Sequence, residues 1–198
     1  MYSTTHYETL ANSLLPTSSI TRVFFRNVLL AFTGSILLAI SSKINIPFYP
    51  VPMSMQTFIL LSISMAYGWR LAGLTVLLYL FEGAIGLPVF SGTPAKGIGM
   101  AYMAGPTGGY LIGFFISAIT VGYLAERGWD RSIFTTLAAM TLGTAIILAA
   151  GVLWLGVLFG WDKPILAWGL YPFLLGAAFK IALAAALLPM IWKFMVSR

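Results

Sequence analysis

Six long stretches of this 198-residue chain carry almost no charged side chains, and this feature limits what the chain can fold into. About 20 apolar residues are needed to cross a bilayer as a helix. Soluble domains contain about 25% charged residues, whereas this chain contains 8%. The sequence therefore predicts an all-α membrane protein, a bundle of six transmembrane helices, and excludes a water-soluble globule. The stretches cover about residues 23–40, 54–67, 71–87, 109–125, 133–159 and 172–195.

The Lys and Arg residues predict the orientation of the bundle, because positive side chains concentrate in cytoplasmic loops. With the N-terminus in the cytoplasm, seven of them fall on the cytoplasmic side and three in the outer loops. The sequence therefore predicts that both termini are cytoplasmic. Residues 1–22 are expected to be a short cytoplasmic N-terminal segment, and residues 23–198 a single six-helix transmembrane domain. The cytoplasmic set is Arg22, Arg26, Arg70, Arg127, Arg131, Lys193 and Arg198; the outer set is Lys43, Lys96 and Lys163.

The absence of several motifs argues against an enzyme. The chain has no cysteine, and its one histidine, His6, lies in the polar N-terminal stretch, so a Cys or His metal site and a Ser-His-Asp triad are not expected. It contains no P-loop for binding ATP and no G-x-S-x-G elbow. The net charge of +6 comes from basic residues spread singly along the chain, which does not indicate a nucleic-acid partner.

Two ionisable residues fall within predicted helices, Glu82 in the third and Lys180 in the sixth. A charge at the bilayer centre costs at least about 2.5–3.5 kcal/mol, so each must face the interior, a partner or a ligand. Small residues near Lys180, such as Gly176 and Ala177, leave volume that a ligand carboxylate could fill. A Glu82–Lys180 ion pair that only ties two helices together is an equally good interpretation.

Outer loops rich in proline, glycine and aromatic residues could line a ligand pocket. Three prolines stiffen the first loop, and Gln56 follows it with an amide that can donate and accept. The sequence GPTGG at Gly105–Gly109 predicts a tight turn that aims backbone N–H groups and Tyr110 at the pocket.

Small residues also repeat at four-residue spacing, which lets helices approach closely in lipid. Such a stripe in the fourth and sixth helices is best explained by internal packing. The stripe of Ala31, Ser35 and Ala39 in the first helix could instead dock another membrane protein, and the residues alone do not decide.

Four motifs in order resemble the BioY family, the substrate-binding membrane subunits of energy-coupling-factor (ECF) biotin transporters. The similarity covers about residue 23 to the C-terminus. The motifs are PVPMSMQT at Pro50–Thr57, GLPVF at Gly86–Phe90, GPTGGY at Gly105–Tyr110, and PFLLG at Pro172–Gly176 followed by Lys180.

This resemblance implies high-affinity biotin binding near the outer face and uptake across the bacterial inner membrane. The implied partners, besides membrane lipid, are a transmembrane coupling subunit and two ATPases. No cofactor is implied, and ATP acts only through those ATPases. The Ala31/Ser35/Ala39 stripe resembles the face by which these subunits dock the coupling subunit; a homo-oligomer is left open. The implied binding residues are Lys180, Glu82, Gln56, Tyr49, Pro52, Phe90 and Tyr110.

Two positions depart from the family pattern. Ala177 stands where an Asp is common, and Leu111 stands where some members have an Arg. Both departures remove a charge from the expected pocket. We therefore hypothesise that Glu82 takes over part of the missing Asp's role.

Two other functions compete with this interpretation. A small secondary transporter could use Glu82 and Lys180 as a proton relay, although no convincing internal repeat supports it. A structural or assembly protein would need only the small-residue stripes.

Overall fold

The computed structural model of the protein describes residues 7–17, 19–46 and 49–196; His6 lies outside them. These residues form nine helices and one two-stranded antiparallel sheet. In chain order the elements are α1 (Leu10–Leu14), α2 (Ile20–Lys43), β1 (Asn45–Ile46), β2 (Met53–Ser54), α3 (Gln56–Tyr67), α4 (Trp69–Ala84), α5 (Gly99–Met103), α6 (Gly108–Ala125), α7 (Ile133–Phe159), α8 (Ile165–Gly169) and α9 (Tyr171–Val196).

Each of the six predicted apolar stretches coincides with one long helix, and the ends agree to within three residues. The all-helical prediction is confirmed. Four helical segments in the described part are long and apolar enough to span a membrane: Ile20–Lys43, Gly108–Ala125, Ile133–Phe159 and Ile165–Phe194. The helices α3 and α4 have 12 and 16 residues, which at 1.5 Å per residue is short for a complete crossing. Six crossings and cytoplasmic termini therefore stay predictions.

The helix α6 lies at the centre of the bundle, where it contacts α3, α4 and α7. Its glycines allow α7 to approach. A Cβ on Gly109 would lie 2.2 Å from the Cβ of Trp154, and a Cβ on Gly113 would lie 2.8 Å from the Cα of Ile147. The small residues of this helix therefore serve internal packing, as expected. In contrast, α2 and α9 expose many large apolar side chains, which suits contact with lipid.

A tight turn joins α3 to α4, because Gly68 alone separates them and has a φ of 77°. The N-terminal segment covers this end of the bundle. The Tyr7 N–H donates to the Glu126 carbonyl at 2.8 Å, and Leu10 of α1 is buried in the core.

A buried carboxyl that the sequence did not single out ties the end of α9 to the loop between α6 and α7. Asp130 is 0% exposed, and its Oδ2 accepts a 2.5 Å hydrogen bond from the Trp192 indole. Burial raises the pKa of Asp130, while the Trp192 bond and the Arg131 charge oppose that shift. The Arg131 guanidinium also lies 4.3 Å from the centre of the Trp192 ring.

Candidate ligand-binding site

A cavity opens where the loop between β1 and β2 meets the ends of the long helices. The space between its walls, including the part that is open to solvent at the mouth, is about 670 Å³. Its walls come from the loop and strand before α3, the start of α3, the loop after α4, and α5, α6, α7 and α9. The residues that line it include Pro52, Gln56, Phe90, Ser91, Tyr102, Thr107, Tyr110, Leu111, Phe114, Thr144, Phe173, Ala177 and Lys180.

The short hairpin of β1 and β2 positions residues 51–54 at the cavity. Asn45 pairs with Ser54 in an antiparallel register, and the Met55 N–H donates to the Ile44 carbonyl at 3.0 Å. Pro52 consequently lines the cavity.

Lys180 is the cation of this cavity, and no carboxylate among the described residues pairs with it. Its ammonium donates to the Ser54 carbonyl at 2.6 Å and to the Thr57 hydroxyl at 3.2 Å. Within the described ranges the only ion pair found joins Lys163 to Asp162 on the surface. An ammonium has three donors, so one remains for a ligand. The alternative of a Glu82–Lys180 ion pair is therefore wrong.

Aromatic rings form much of the cavity wall. Phe90 and Tyr102 stack with ring centres 5.0 Å apart, and Tyr110 and Phe173 lie tilted at 5.9 Å. The Tyr110 hydroxyl donates to the Gly169 carbonyl at 2.7 Å, which fixes that ring in place. Such walls suit a fused ring and an alkyl chain.

Gln56 lines the cavity, but the protein already uses its amide. Its Nε2 donates to the Tyr79 hydroxyl at 2.5 Å, and its Oε1 accepts from the Ser54 hydroxyl at 3.2 Å. The Tyr79 hydroxyl in turn donates to the Val89 carbonyl at 3.1 Å. Gln56 and Tyr79 therefore connect the residues before α3 to the loop after α4, and the Gln56 amide has fewer free hydrogen-bonding groups for a ligand than the sequence suggested.

Lys43 holds the loop that carries Phe90, a role the sequence did not reveal. From the end of α2 its ammonium donates to the carbonyls of Pro88 at 2.5 Å, Phe90 at 3.0 Å and Thr93 at 3.2 Å, and to the Thr93 hydroxyl at 3.0 Å. In the sequence Lys43 counted only as an outer basic residue. The polar contacts of this one ammonium fix one wall of the cavity.

Two predicted binding residues lie outside the cavity lining. Tyr49 is 85% exposed. The carboxylate of Glu82 accepts a 3.0 Å hydrogen bond from Ser35. Glu82 sits on the side of α4 that meets α2, so it does not replace the missing Asp at Ala177, which does line the cavity. The remaining predicted residues, Pro52, Gln56, Phe90, Tyr110 and Lys180, are brought together.

The proposed docking stripe on α2 also needs correction. Ser35 is 0% exposed and bonds Glu82, while Ala31 and Ala39 are half-buried. The stripe faces the bundle because its neighbour Gly34 fits against Thr75 of α4, only 2.6 Å from where a Cβ would stand. The middle of the stripe is therefore not free to dock a second protein.

Apolar helices surround a cavity that aromatic rings line in part and that holds the Lys180 ammonium, an arrangement typical of membrane proteins that bind a small amphipathic molecule. The comparisons with known proteins agree with this class. A family model described as the BioY family matches residues 11–197. A Thermotoga maritima protein named biotin transporter BioY is 34% identical over 173 residues, 87% of this chain and 99% of that protein.

A Rhizobium etli protein of the same name is 33% identical over 169 residues, 81% of this chain and 89% of that protein. The fold is similar to a crystal structure of the S-component for biotin from an ECF-type ABC transporter, with a TM-score of 0.73 and 22% identity over 89% of this chain and 95% of that one. The chain belongs to the BioY family. It is accordingly a multi-pass membrane transport protein rather than an enzyme.

Proposed function

We propose that this protein binds biotin with high affinity and is the substrate-binding subunit of an ECF-type transporter in the bacterial inner membrane. The observation that carries the proposal is the unpaired Lys180 ammonium beside an aromatic cavity. Biotin has one carboxylate, one apolar chain and one fused ring, so a single cation and an apolar wall match it. A phosphorylated ligand would need several Arg or Lys, and Lys180 is the only one of these in the cavity lining.

The orientation we propose for the ligand follows from charge. The valerate carboxylate bonds the third donor of Lys180, because an uncompensated charge in the membrane is costly. The fused ring then lies among Phe90, Tyr102 and Phe173, and the cavity opens toward the outside of the cell. This orientation agrees with six crossings and cytoplasmic termini, which place seven basic residues inside against three outside.

A coupling subunit and two ATPases complete the proposed transporter, and ATP acts only through those ATPases. The exposed apolar side chains of α2, such as Phe24, Phe32 and Ile36, offer a surface for the coupling subunit or for lipid. Because the small-residue stripe turns inward, we place any docking contact of α2 on this exposed face.

The proton-relay alternative finds no support in the geometry. Glu82 bonds Ser35, whereas Lys180 bonds Ser54 and Thr57. The two groups share no hydrogen-bond partner in the part of the chain that the structure describes.

Equilibrium binding of labelled biotin to the purified protein in detergent tests the proposal. We expect saturable binding that unlabelled biotin competes and nicotinate, another small vitamin acid, does not. Absence of binding would refute it. Uptake by cells that lack the ATPases, measured with a protein that still binds biotin, separates the two transport models. Loss of uptake supports the ECF assembly, whereas uptake that persists and is abolished by a protonophore supports the proton relay.

A further inference from the structure

One hydroxyl in the cavity wall lacks a partner. Ser91 is 5% exposed, and its Oγ has no hydrogen-bond partner among the described residues. Buried polar groups are nearly always satisfied, so such a group needs an explanation. Ser91 lines the same cavity as Lys180, and a ligand in that cavity could supply the missing partner.

The backbone around Ser91 is held firmly, so the hydroxyl cannot easily find another partner by moving the loop. The Tyr102 hydroxyl donates to the Ser91 carbonyl at 2.7 Å, and Lys43 donates to the preceding carbonyl of Phe90 at 3.0 Å. With its Cα held in place, the Ser91 side chain can change the position of its hydroxyl oxygen only by rotation about χ1.

Two hydroxyls that bond the backbone of Phe90 and Ser91 already use their protons there. The Tyr102 hydroxyl bonds the Ser91 backbone, and the Thr93 hydroxyl donates to the Phe90 carbonyl at 2.6 Å. Neither hydroxyl can also donate its proton to the Ser91 Oγ, and although each oxygen could still accept, the Ser91 hydroxyl bonds neither of them. The partner is therefore expected to come from the occupant of the cavity.

We propose that the Ser91 hydroxyl is a specificity contact that hydrogen-bonds the ureido group of biotin, an inference that rests on the proposed function. In this contact the Ser91 hydroxyl donates to the ureido carbonyl, which accepts. With the carboxylate bound at Lys180, the ureido ring is the other polar end of the ligand. Ser91 offers this end of the ligand a hydrogen bond, which the apolar side chains of the wall cannot form.

The test is a set of binding titrations on purified Ser91→Ala, with Ser64→Ala as the matched control. Ser64 is also fully buried, but it lies outside the cavity lining and its hydroxyl donates to the Leu60 carbonyl of its own helix. Three ligands are compared: biotin, biotinamide, which lacks the negative charge, and the diamine derived from biotin, which lacks the ureido carbonyl.

We expect Ser91→Ala to weaken biotin and biotinamide by the same factor, about tenfold, and to leave the weaker binding of the diamine unchanged. Ser64→Ala should bind all three like the wild type. Because the replaced hydroxyl is unpartnered, ligand-free Ser91→Ala should melt no lower than the wild type, while its melting temperature should rise less on adding biotin.

Unchanged biotin affinity in Ser91→Ala would overturn the inference, and so would a loss for biotin that biotinamide does not share, because the contact would then be to the carboxylate. If Ser91→Ala does not fold, Ser91→Cys keeps a similar shape with a weaker donor and should show a smaller loss; wild-type affinity there would also refute the contact. A wild-type protein that binds no biotin would instead refute the proposed function.

Discussion

Replacing Lys180 by methionine tests the central chemistry of the site. The change keeps a long apolar side chain and removes the ammonium. Two of its three donors bond Ser54 and Thr57, so one bond to the ligand is lost. A hydrogen bond to a charged group contributes about 1.5–3 kcal/mol, which corresponds to a loss of affinity of about 10- to 150-fold.

The assay is equilibrium dialysis of labelled biotin against purified protein in detergent, with Lys163→Met as the control. Lys163 is a surface cation paired with Asp162, so its replacement should change affinity less than twofold. Biotinamide should lose less affinity than biotin in Lys180→Met, because its amide oxygen can accept a hydrogen bond from Lys180 but carries no charge for it to neutralise. A folded Lys180→Met protein that binds biotin within twofold of the wild type would refute the reasoning.

Three further predictions concern contacts that only the structure revealed. Lys43→Met removes the ammonium that holds the Phe90 loop, so we expect roughly tenfold weaker biotin binding and faster proteolysis of that loop. The control Lys163→Met should change neither property, and a Lys43→Met protein with wild-type affinity would contradict the prediction. Asp130 holds its proton more tightly when folded because burial raises its pKa, so its contribution to stability is present below the ordinary pKa and is lost as pH rises through the raised one. The free energy of unfolding should therefore fall with rising pH from about 4, and Asp130→Asn should flatten that decline in thermal melts; identical pH profiles would contradict this. Ser35→Trp places a large ring in a position that is 0% exposed, so it should lower the melting temperature and biotin binding together; normal folding with only assembly lost would restore the docking interpretation of the stripe.

Much of the fold could be predicted from the sequence because hydropathy is a local signal. Every predicted apolar stretch became a helix, and the fifth matched residue for residue, since α7 covers Ile133–Phe159. The short elements α1, α5 and α8 were missed, because five-residue helices carry too few residues to show a period.

The candidate site was predicted in part. Lys180 stood out because a cation within an apolar stretch needs a partner, and the motifs brought Pro52, Phe90 and Tyr110 into the same hypothesis. Tyr102 and Ser91 carried no local signal, because an aromatic residue or a serine in an outer loop is ordinary. Phe173 does carry a local signal, because it lies in the PFLLG motif at Pro172–Gly176.

The sequence by itself determined that the chain is a helical membrane protein with an intramembrane cation, because both properties follow from the order of apolar and charged residues along one segment. Tertiary structure alone decided which partners the polar side chains bond. In the folded chain Glu82 accepts a hydrogen bond from Ser35, the α2 stripe faces the bundle, and Lys180 donates to the carbonyl of Ser54, 126 positions away. Which helix faces meet depends on packing between distant segments, and no local pattern contains that information.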